Sequence, residues 1–252
     1  CLPGGEIVSV GKISDMDFGS ETVEHYNGVI VPGFVNAHCH IELSHLKGLF
    51  RKGTGMDGFI QQINSLRATV GYDERMGAMM EAFDDLYRQG VSGMGDISNC
   101  SESFEMKRYS PMFTRTFLEV FGTEPEDAQK IIEDVMKLQK EAEKYGIQAA
   151  PTPHSCYTMS PLLNRLAAAG GLKSGYISYH SQESQEEEDM LRYGTGPLAD
   201  DYRGRGTTQL PVTGEGALKY FIDNLAKEIE MPVKENVILV HNVATDQESI
   251  DY

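Results

Sequence analysis

Short apolar runs alternate with longer amphipathic stretches along most of the chain. This alternation is typical of βα units arranged around a parallel sheet. The apolar runs predict six strands, at residues 34–37, 91–97, within 112–120, 147–150, 176–179 and 237–240. Stretches with helical spacing of apolar residues lie between them, at 76–87, 125–146 and 217–225. The pattern therefore predicts an α/β fold of the TIM-type (β/α) barrel kind.

Residues with known preferences for helix ends support the predicted helices. Ser160 and Pro161 suit the N-cap and first-turn positions of a helix after the fourth strand, and Gly146 suits a C-terminal stop. Thr245 and Glu248 have the spacing of a capping box, which predicts one more helix after the sixth strand.

The first 30 residues have a different pattern from the rest. Short strand-like pieces at 6–10 and 29–31 predict part of a small β lobe over residues 1–30, and the barrel is expected to occupy residues 31–252. A (β/α) barrel closes only with more strands than the six predicted here. We therefore expect a barrel that is incomplete after its sixth strand, with an edge that favours self-association, so a homo-oligomer is one possible state.

Histidines follow the predicted strands at one end. Four of the six predicted strands are followed by histidine at their C-terminal ends, namely by His38 and His40, His154, His180 and His241. The C-terminal ends of barrel strands form the functional rim, so these imidazoles are expected to share a site. Residues two apart on an extended chain face the same way, which lets both imidazoles of the H-x-H pair reach one ion. His25 and His45 do not share this placement.

Composition narrows the function classes. With 252 residues and 40% hydrophobic content, the chain is long enough for one sizeable core. A net charge of -16 without a basic stripe disfavours nucleic acid as a partner, so a small-molecule substrate is expected. No apolar stretch approaches the roughly 18 residues of a membrane span and no secretion signal is present, which predicts no membrane partner and a cytoplasmic location. Four cysteines without C-x-x-C pairing are expected to be reduced thiols.

Four motifs, in order, resemble one known family. VPGFVNAHCHIELSHLKG, PHSCYTMS, HSQES and LVHNVATDQESID follow the first, fourth, fifth and sixth predicted strands. Together they resemble the amidohydrolase superfamily, in particular its chlorohydrolase and aminohydrolase (deaminase) branch. The resemblance covers most of residues 29–252.

The resemblance implies a site with one divalent metal ion. By similarity, His38, His40 and His180 would bind zinc or iron, with zinc preferred. Glu183 matches the family's proton-shuttling carboxylate, a role that suits a group beside metal-activated water. A solvated acidic helix start is the alternative for Glu183, because Glu186 and two further glutamates follow it.

The remaining site residues have less specific signals. His241 matches the residue that hydrogen-bonds the attacking water or the leaving group, and His154 matches a substrate contact. Glu42 is predicted to bind or orient substrate, with a structural salt bridge as the alternative. Strand alternation places Cys39 in the barrel wall, where we expect it to pack. The segment 193–206 carries two arginines and is predicted to be either a cover over the pocket that meets an anionic substrate group or a flexible surface loop.

Two departures from the family bear on the site. The fourth strand carries no lysine at 148–150, so a second, bridged metal is not expected. The family's fourth ligand is an aspartate after the eighth strand, and Asp246 and Asp251 lie too early to replace it.

The expected function is metal-dependent hydrolysis of carbon-nitrogen bonds other than peptide bonds. Deamination of an aminated heterocycle or nucleoside is the leading form of this prediction. Hydrolytic dechlorination or cyclic-amide hydrolysis at the same site is one alternative. A metal-binding fragment without turnover is the other.

Overall fold

A computed structural model describes residues 6–20, 22–208, 210–226 and 233–252. Contacts divide the chain into two compact units, Cys1–Pro32 and Gly33–Tyr252, which are described separately.

The first unit contains a single 3-10 turn, Ile13–Asp15, among its described residues. The strand predictions at 6–10 and 29–31 were wrong, because neither segment has strand hydrogen bonding where the structure describes it. A strand is stabilised by hydrogen bonds to a partner strand, and apolar residues alone do not supply one. Ile7 and Val29 are exposed instead. The assignment of residues 1–30 to a small β lobe stays a prediction.

The second unit has six strands within the described ranges, and the sequence pattern predicted each of them. They are β1 (Phe34–Cys39), β2 (Val91–Ser98), β3 (Phe113–Val120), β4 (Gln148–Pro153), β5 (Ile177–Ser181) and β6 (Val237–His241). Five of them extend past the predicted C-terminal end. The apolar pattern ended before the polar residues that finish these strands, so His38, His180 and His241 lie inside strands rather than after them.

The strands are parallel and form two sheets, in the orders β1-β2-β3-β4 and β5-β6. β4 and β5 are joined by a side chain: Thr152 Oγ1 donates to the Ser178 carbonyl at 2.6 Å and accepts from the Ser178 amide at 2.9 Å. The His180 amide also donates to the His154 carbonyl at 2.8 Å. The C-terminal ends of the strands therefore share one edge, as in a partial barrel.

Helices follow the strands. The α-helices are α1 (Gly55–Leu66), α2 (Tyr72–Arg88), α3 (Phe104–Arg108), α4 (Ala128–Lys144), α5 (Pro161–Leu172), α6 (Gln185–Tyr193), α7 (Pro197–Gly204), α8 (Ala217–Ala226) and α9 (Gln247–Asp251). Short 3-10 turns lie at Ile41–Leu46, Pro125–Asp127, Cys156–Thr158 and Val233–Asn236. None of the described helices is both long and apolar enough to cross a membrane.

Helix ends were predicted with mixed success. Ser160 caps α5 as expected, and its Oγ accepts from the Leu163 amide at 3.3 Å. The capping box at Thr245 was wrong, because Asp246 is the N-cap of α9 and its side chain accepts from the Ser249 amide at 2.8 Å. Thr245 Oγ1 instead donates to the buried side chain of Gln182 at 3.0 Å.

The segment 193–206 is not a flexible loop, because α7 occupies its centre. Leu198, Ala199 and Tyr202 on this helix are buried. They join the apolar cluster that also contains Tyr179 and Phe221, whose rings stack with centroids 3.5 Å apart. Burial of this helical face outweighs the glycines that suggested a loop.

Candidate metal centre

Three histidines meet at the ends of β1 and β5. One ring nitrogen from each of His38, His40 and His180 lies within 4.8 Å of the others. His40 Nε2 and His180 Nε2 are 3.2 Å apart. Zinc-nitrogen bonds of about 2.0–2.1 Å in a tetrahedral site place ligand nitrogens roughly 3.3 Å apart. The spacing of these imidazoles therefore fits one shared cation.

The environment keeps these imidazoles neutral. Burial lowers the pKa of His38 to about 4 and that of His40 to about 3, with further lowering from neighbouring histidines. Burial also lowers the pKa of His180, and nearby His154 and His40 add to the effect. A metal ion binds the neutral imidazole, so near neutral pH protons do not compete for these lone pairs.

Two strand ends near the histidines have strained backbone. His241, at the end of β6, has φ +77°, and Gln182, just after β5, has φ +49°. Non-glycine residues with positive φ are uncommon and cluster at functional sites. Gln182 is fully buried, and its Nε2 donates to Glu188 Oε1 and to Ser249 Oγ, each at 2.9 Å. These contacts tie the β5 end to the segment that follows β6.

Glu183 faces the site rather than solvent. His241 Nε2 lies 3.3 Å from Glu183 Oε1, and the Tyr157 hydroxyl donates to Glu183 Oε2 at 3.3 Å. Ser184 is the N-cap of α6, so Glu183 precedes the helix and is not part of its solvated acidic face. The Glu183 amide donates to the buried carboxylate of Glu187 at 2.8 Å, which fixes the backbone here.

His154, after β4, lies on the other side of His180. Its Nδ1 is 2.8 Å from Ser155 Oγ and 2.9 Å from Thr158 Oγ1. Burial lowers the pKa of His154 to about 4. The rings of His154 and His180 have centroids 4.5 Å apart.

Glu119, at the end of β3, is a site residue that the sequence analysis missed. Its Oε1 lies 3.5 Å from His180 Nδ1 and 3.9 Å from His154 Nε2. Burial raises the pKa of Glu119 to about 7, opposed by the hydrogen bond from Asn99. A lone carboxylate between Leu118 and Val120 forms no motif. Its position at the C-terminal end of a predicted strand was the signal that could have found it.

A cavity of about 340 Å³ opens beside the histidines. Strand ends line it with His40, Glu119 and His154, and α1 lines it with Ile60 and Ile63. Its volume and its mixed apolar and polar lining suit a small organic ligand.

Two arginines, Arg67 and Arg205, line this cavity and give it positive charge. Arg67 Nη2 donates to Asn99 Oδ1 at 3.1 Å, and Arg205 stacks on Tyr202 with its guanidinium carbon 4.7 Å from the ring centroid. Arg203, the other arginine of the segment after α6, bonds the Gly194 carbonyl and Asp200 and does not line the cavity.

Sequence comparison finds relatives that are named deaminases. No protein-family model matches the chain. A 5-methylthioadenosine/S-adenosylhomocysteine deaminase of Halobacterium salinarum is 25% identical over 260 residues, which cover 96% of this chain and 56% of the relative. An adenosine deaminase of Helicobacter pylori is 28% identical over 180 residues, covering 70% of this chain and 43% of the relative. An aminodeoxyfutalosine deaminase of Nitratiruptor is 25% identical over 239 residues, covering 92% and 56%.

Solved structures share the fold. Helicobacter pylori aminofutalosine deaminase in complex with methylthio-coformycin aligns with a TM-score of 0.67 at 21% identity, covering 87% of this chain and 60% of that one. Guanine deaminase from C. acetobutylicum aligns with a TM-score of 0.66 at 13% identity, covering 92% and 54%. The zinc complex of atrazine chlorohydrolase TrzN from Arthrobacter aurescens aligns with a TM-score of 0.62 at 11% identity, covering 87% and 50%. The chain is similar to deaminases in sequence and to hydrolases of this kind in fold, which agrees with the resemblance of its motifs to the amidohydrolase superfamily. It spans about half the length of the curated relatives it matches.

Strand β2 holds the H-x-H segment in place. A Cβ on Gly95 would lie 2.4 Å from the Ala37 carbonyl oxygen, so only glycine lets β1 approach this closely. The adjacent Asp96 is fully buried, accepts from the Ile41 amide at 2.9 Å and pairs with Lys107 Nζ at 2.6 Å. The sequence analysis missed this pair, because its members are eleven positions apart in different elements.

Cys39 and Glu42 lie beside the H-x-H pair. Cys39 Sγ points into the β1-β2 wall, 3.6 Å from Asp96 Oδ1, which confirms the prediction that it packs there. Glu42 is buried, and its Oε2 accepts from the Asn99 amide at 2.9 Å. Asn99 lines the cavity, and Glu42 contacts Asn99 without lining the cavity itself. The role of Glu42 in substrate binding stays a prediction.

Proposed function

We propose that this protein removes an amino group from an aminated heterocycle or nucleoside by metal-dependent hydrolysis. The observation that carries the proposal is the convergence of the ring nitrogens of His38, His40 and His180 at the spacing of a single metal site. Zinc is the first expectation for the ion and iron the second, because neutral imidazoles suit both. The zinc complex of a protein with the same fold supports this order.

Glu183 and His241 are the catalytic groups of this proposal. A divalent cation bound there would supply an activated water near neutral pH. Glu183 would take up a proton from that water and deliver it to the leaving amino nitrogen, so that ammonia departs and a carbonyl remains. The contacts from Tyr157 and His241 hold the Glu183 carboxylate toward the site. His241 would hydrogen-bond the attacking water or the departing nitrogen.

The cavity would hold the substrate. His154 lines it and would contact a ligand there, while Glu42 would orient the cavity wall through Asn99. The relatives' names include adenosine and 5-methylthioadenosine, so we infer that a 6-aminopurine nucleoside is the substrate class to test first.

Ammonia release by the zinc-loaded or iron-loaded full-length protein tests the proposal. We expect turnover of at least one member of a panel of adenosine, 5'-methylthioadenosine, S-adenosylhomocysteine and guanine. Atrazine, assayed for chloride release, is the arm that would indicate dechlorination instead. A folded, metal-loaded protein that releases no ammonia across the panel would contradict deamination.

The Glu183→Gln variant tests the proton shuttle. Loss of general acid-base catalysis should lower kcat by about 10²- to 10⁴-fold while the metal content is unchanged. The matched control is Asp189→Asn on α6, a carboxylate that contacts Gln185 rather than the histidines and should leave kcat as it is. Wild-type kcat in Glu183→Gln would remove the residue from the mechanism.

A further inference from the structure

Two buried polar atoms face each other at the edge of the metal centre. Glu119 Oε1 and His180 Nδ1 have no hydrogen-bond partner among the described residues, and both side chains are 5% exposed. They lie 3.5 Å apart. Leaving a buried donor and a buried acceptor unpaired is unfavourable, so a hydrogen bond between them is favoured.

The two ring nitrogens of His180 face different groups. Nε2 lies 3.2 Å from His40 Nε2, on the metal side, and Nδ1 faces Glu119. A neutral imidazole has one N–H and one lone pair. The lone pair is needed at Nε2 for an ion, so the proton belongs at Nδ1, where a carboxylate can accept it.

We propose that Glu119 is a positioning residue that accepts the Nδ1–H of His180 and thereby fixes the tautomer and orientation with which His180 binds the metal. The inference rests on the proposed metal site. A carboxylate bonded to the outer nitrogen of a ligating histidine raises the basicity of that ligand, and loss of such a partner typically lowers metal affinity by about 10- to 100-fold.

The second oxygen of the Glu119 carboxylate, Oε2, accepts a hydrogen bond that fixes the side chain. Asn99 Nδ2 donates to Glu119 Oε2 at 3.3 Å and to the Glu119 carbonyl at 3.2 Å. Asn99 is fixed in turn by Arg67, which donates to its Oδ1, and by Glu42, which accepts from its backbone amide. These contacts leave Oε1 free for His180 and extend the network from the cavity wall to the metal ligand.

A second ion between Glu119, His154 and His180 is the competing explanation, since their ligand atoms also lie within 4.8 Å of one another. That ion would need the Nδ1 lone pair of His180 while the first ion uses the Nε2 lone pair. Both ions together would require an imidazolate, with neither ring nitrogen protonated, whereas one ion on Nε2 leaves His180 as a neutral imidazole whose Nδ1–H can donate to the Glu119 carboxylate.

Zinc affinity of the full-length protein, measured by competition with a chromophoric chelator, tests the proposal. We expect one zinc per chain in the wild type, about 10- to 100-fold weaker binding in Glu119→Ala, and recovery of part of this loss in Glu119→Gln, whose amide oxygen can still accept. The control is Glu133→Gln on α4, an exposed carboxylate that contacts Gln129 and should leave zinc affinity unchanged.

Nitrogen NMR of the imidazoles gives a second readout. The zinc-loaded wild type should show His180 protonated at Nδ1, assigned by loss of the signal in His180→Gln, and Glu119→Ala should expose that proton to fast exchange. Wild-type zinc affinity and an unchanged signal in both Glu119 variants would overturn the inference while leaving the proposed function standing. Two zinc ions per wild-type chain, one of them lost in Glu119→Ala, would also overturn it, and no zinc binding by the wild type would instead refute the metal site.

Discussion

Asp96 and Glu119 are buried carboxylates on neighbouring strands, and they differ in what surrounds them. The Asp96 carboxylate on β2 forms an ion pair with Lys107 and accepts hydrogen bonds from the Ile41 amide and the Ser98 hydroxyl. Lys107 is satisfied in turn by Ser98 and by Thr116. Among the described residues, the Glu119 side chain on β3 accepts a hydrogen bond from Asn99 on one oxygen, and its other oxygen faces His180.

From this difference we infer a structural role for Asp96 and a role at the proposed metal site for Glu119. A buried ion pair whose remaining donors and acceptors are all satisfied fixes geometry, here the segment directly after the H-x-H pair. A buried carboxylate with an unfilled acceptor costs free energy of folding, and such groups are concentrated at functional sites. We therefore expect substitution of Asp96 to affect stability first and substitution of Glu119 to affect metal binding first.

The largest effect on stability is expected for Asp96→Ala. Removing one partner leaves the Lys107 ammonium buried without a counter-ion, which should lower the free energy of unfolding by about 3–5 kcal/mol in denaturant titration. Asp134→Ala removes an exposed carboxylate that pairs with Lys130 and Lys137 on α4, and as a control it should leave stability nearly unchanged. Wild-type stability of Asp96→Ala would contradict a structural role for the pair.

A smaller effect is expected at Glu187, a third buried carboxylate, which accepts from Cys156 and from the Glu183 amide but has no cation among these contacts. Burial raises its pKa from an ordinary value of 4.5 to about 8. Between these values the folded state retains a proton that the unfolded state has released. The contribution of Glu187 to stability is therefore fully present below the lower value and is lost as pH rises toward 8.

Glu187→Gln should remove this pH dependence. The variant should gain stability relative to the wild type as pH rises from 5 to 8, reaching an advantage of about 1–3 kcal/mol at the upper end. Urea denaturation at several pH values measures it, and Glu126→Gln, at an exposed position, serves as the control. A constant difference between wild type and variant over this range would show that Glu187 is ionised in the folded protein.

The sequence predicted the strands well because burial on both faces produces continuous apolar runs. It ended them too early, since Thr152, His180 and His241 continue their strands as polar residues. It missed α7, because glycines around a short helix resemble loop composition. It also predicted two strands in the first unit, at 6–10 and 29–31, which have no strand hydrogen bonding among the described residues.

The histidines of the site could be predicted from their shared position at strand ends. The groups that support them could not. Asp96 and Lys107 form a pair only because β2 and α3 bring them together, and Glu119 meets His180 only because the strand ends share one edge. Single charged residues of this kind carry no spacing signal, so their partners become visible only in three dimensions.

Zinc binding by histidine variants of the full-length protein tests whether His38, His40 and His180 form a metal centre. After equilibration with zinc and dialysis, the wild type is expected to retain one ion per chain, and His40→Ala and His180→Ala should each bind at least about 100-fold more weakly. His25→Ala, which removes an exposed histidine of the first unit, should bind as the wild type does. Wild-type zinc affinity in folded His40→Ala or His180→Ala would contradict the metal centre.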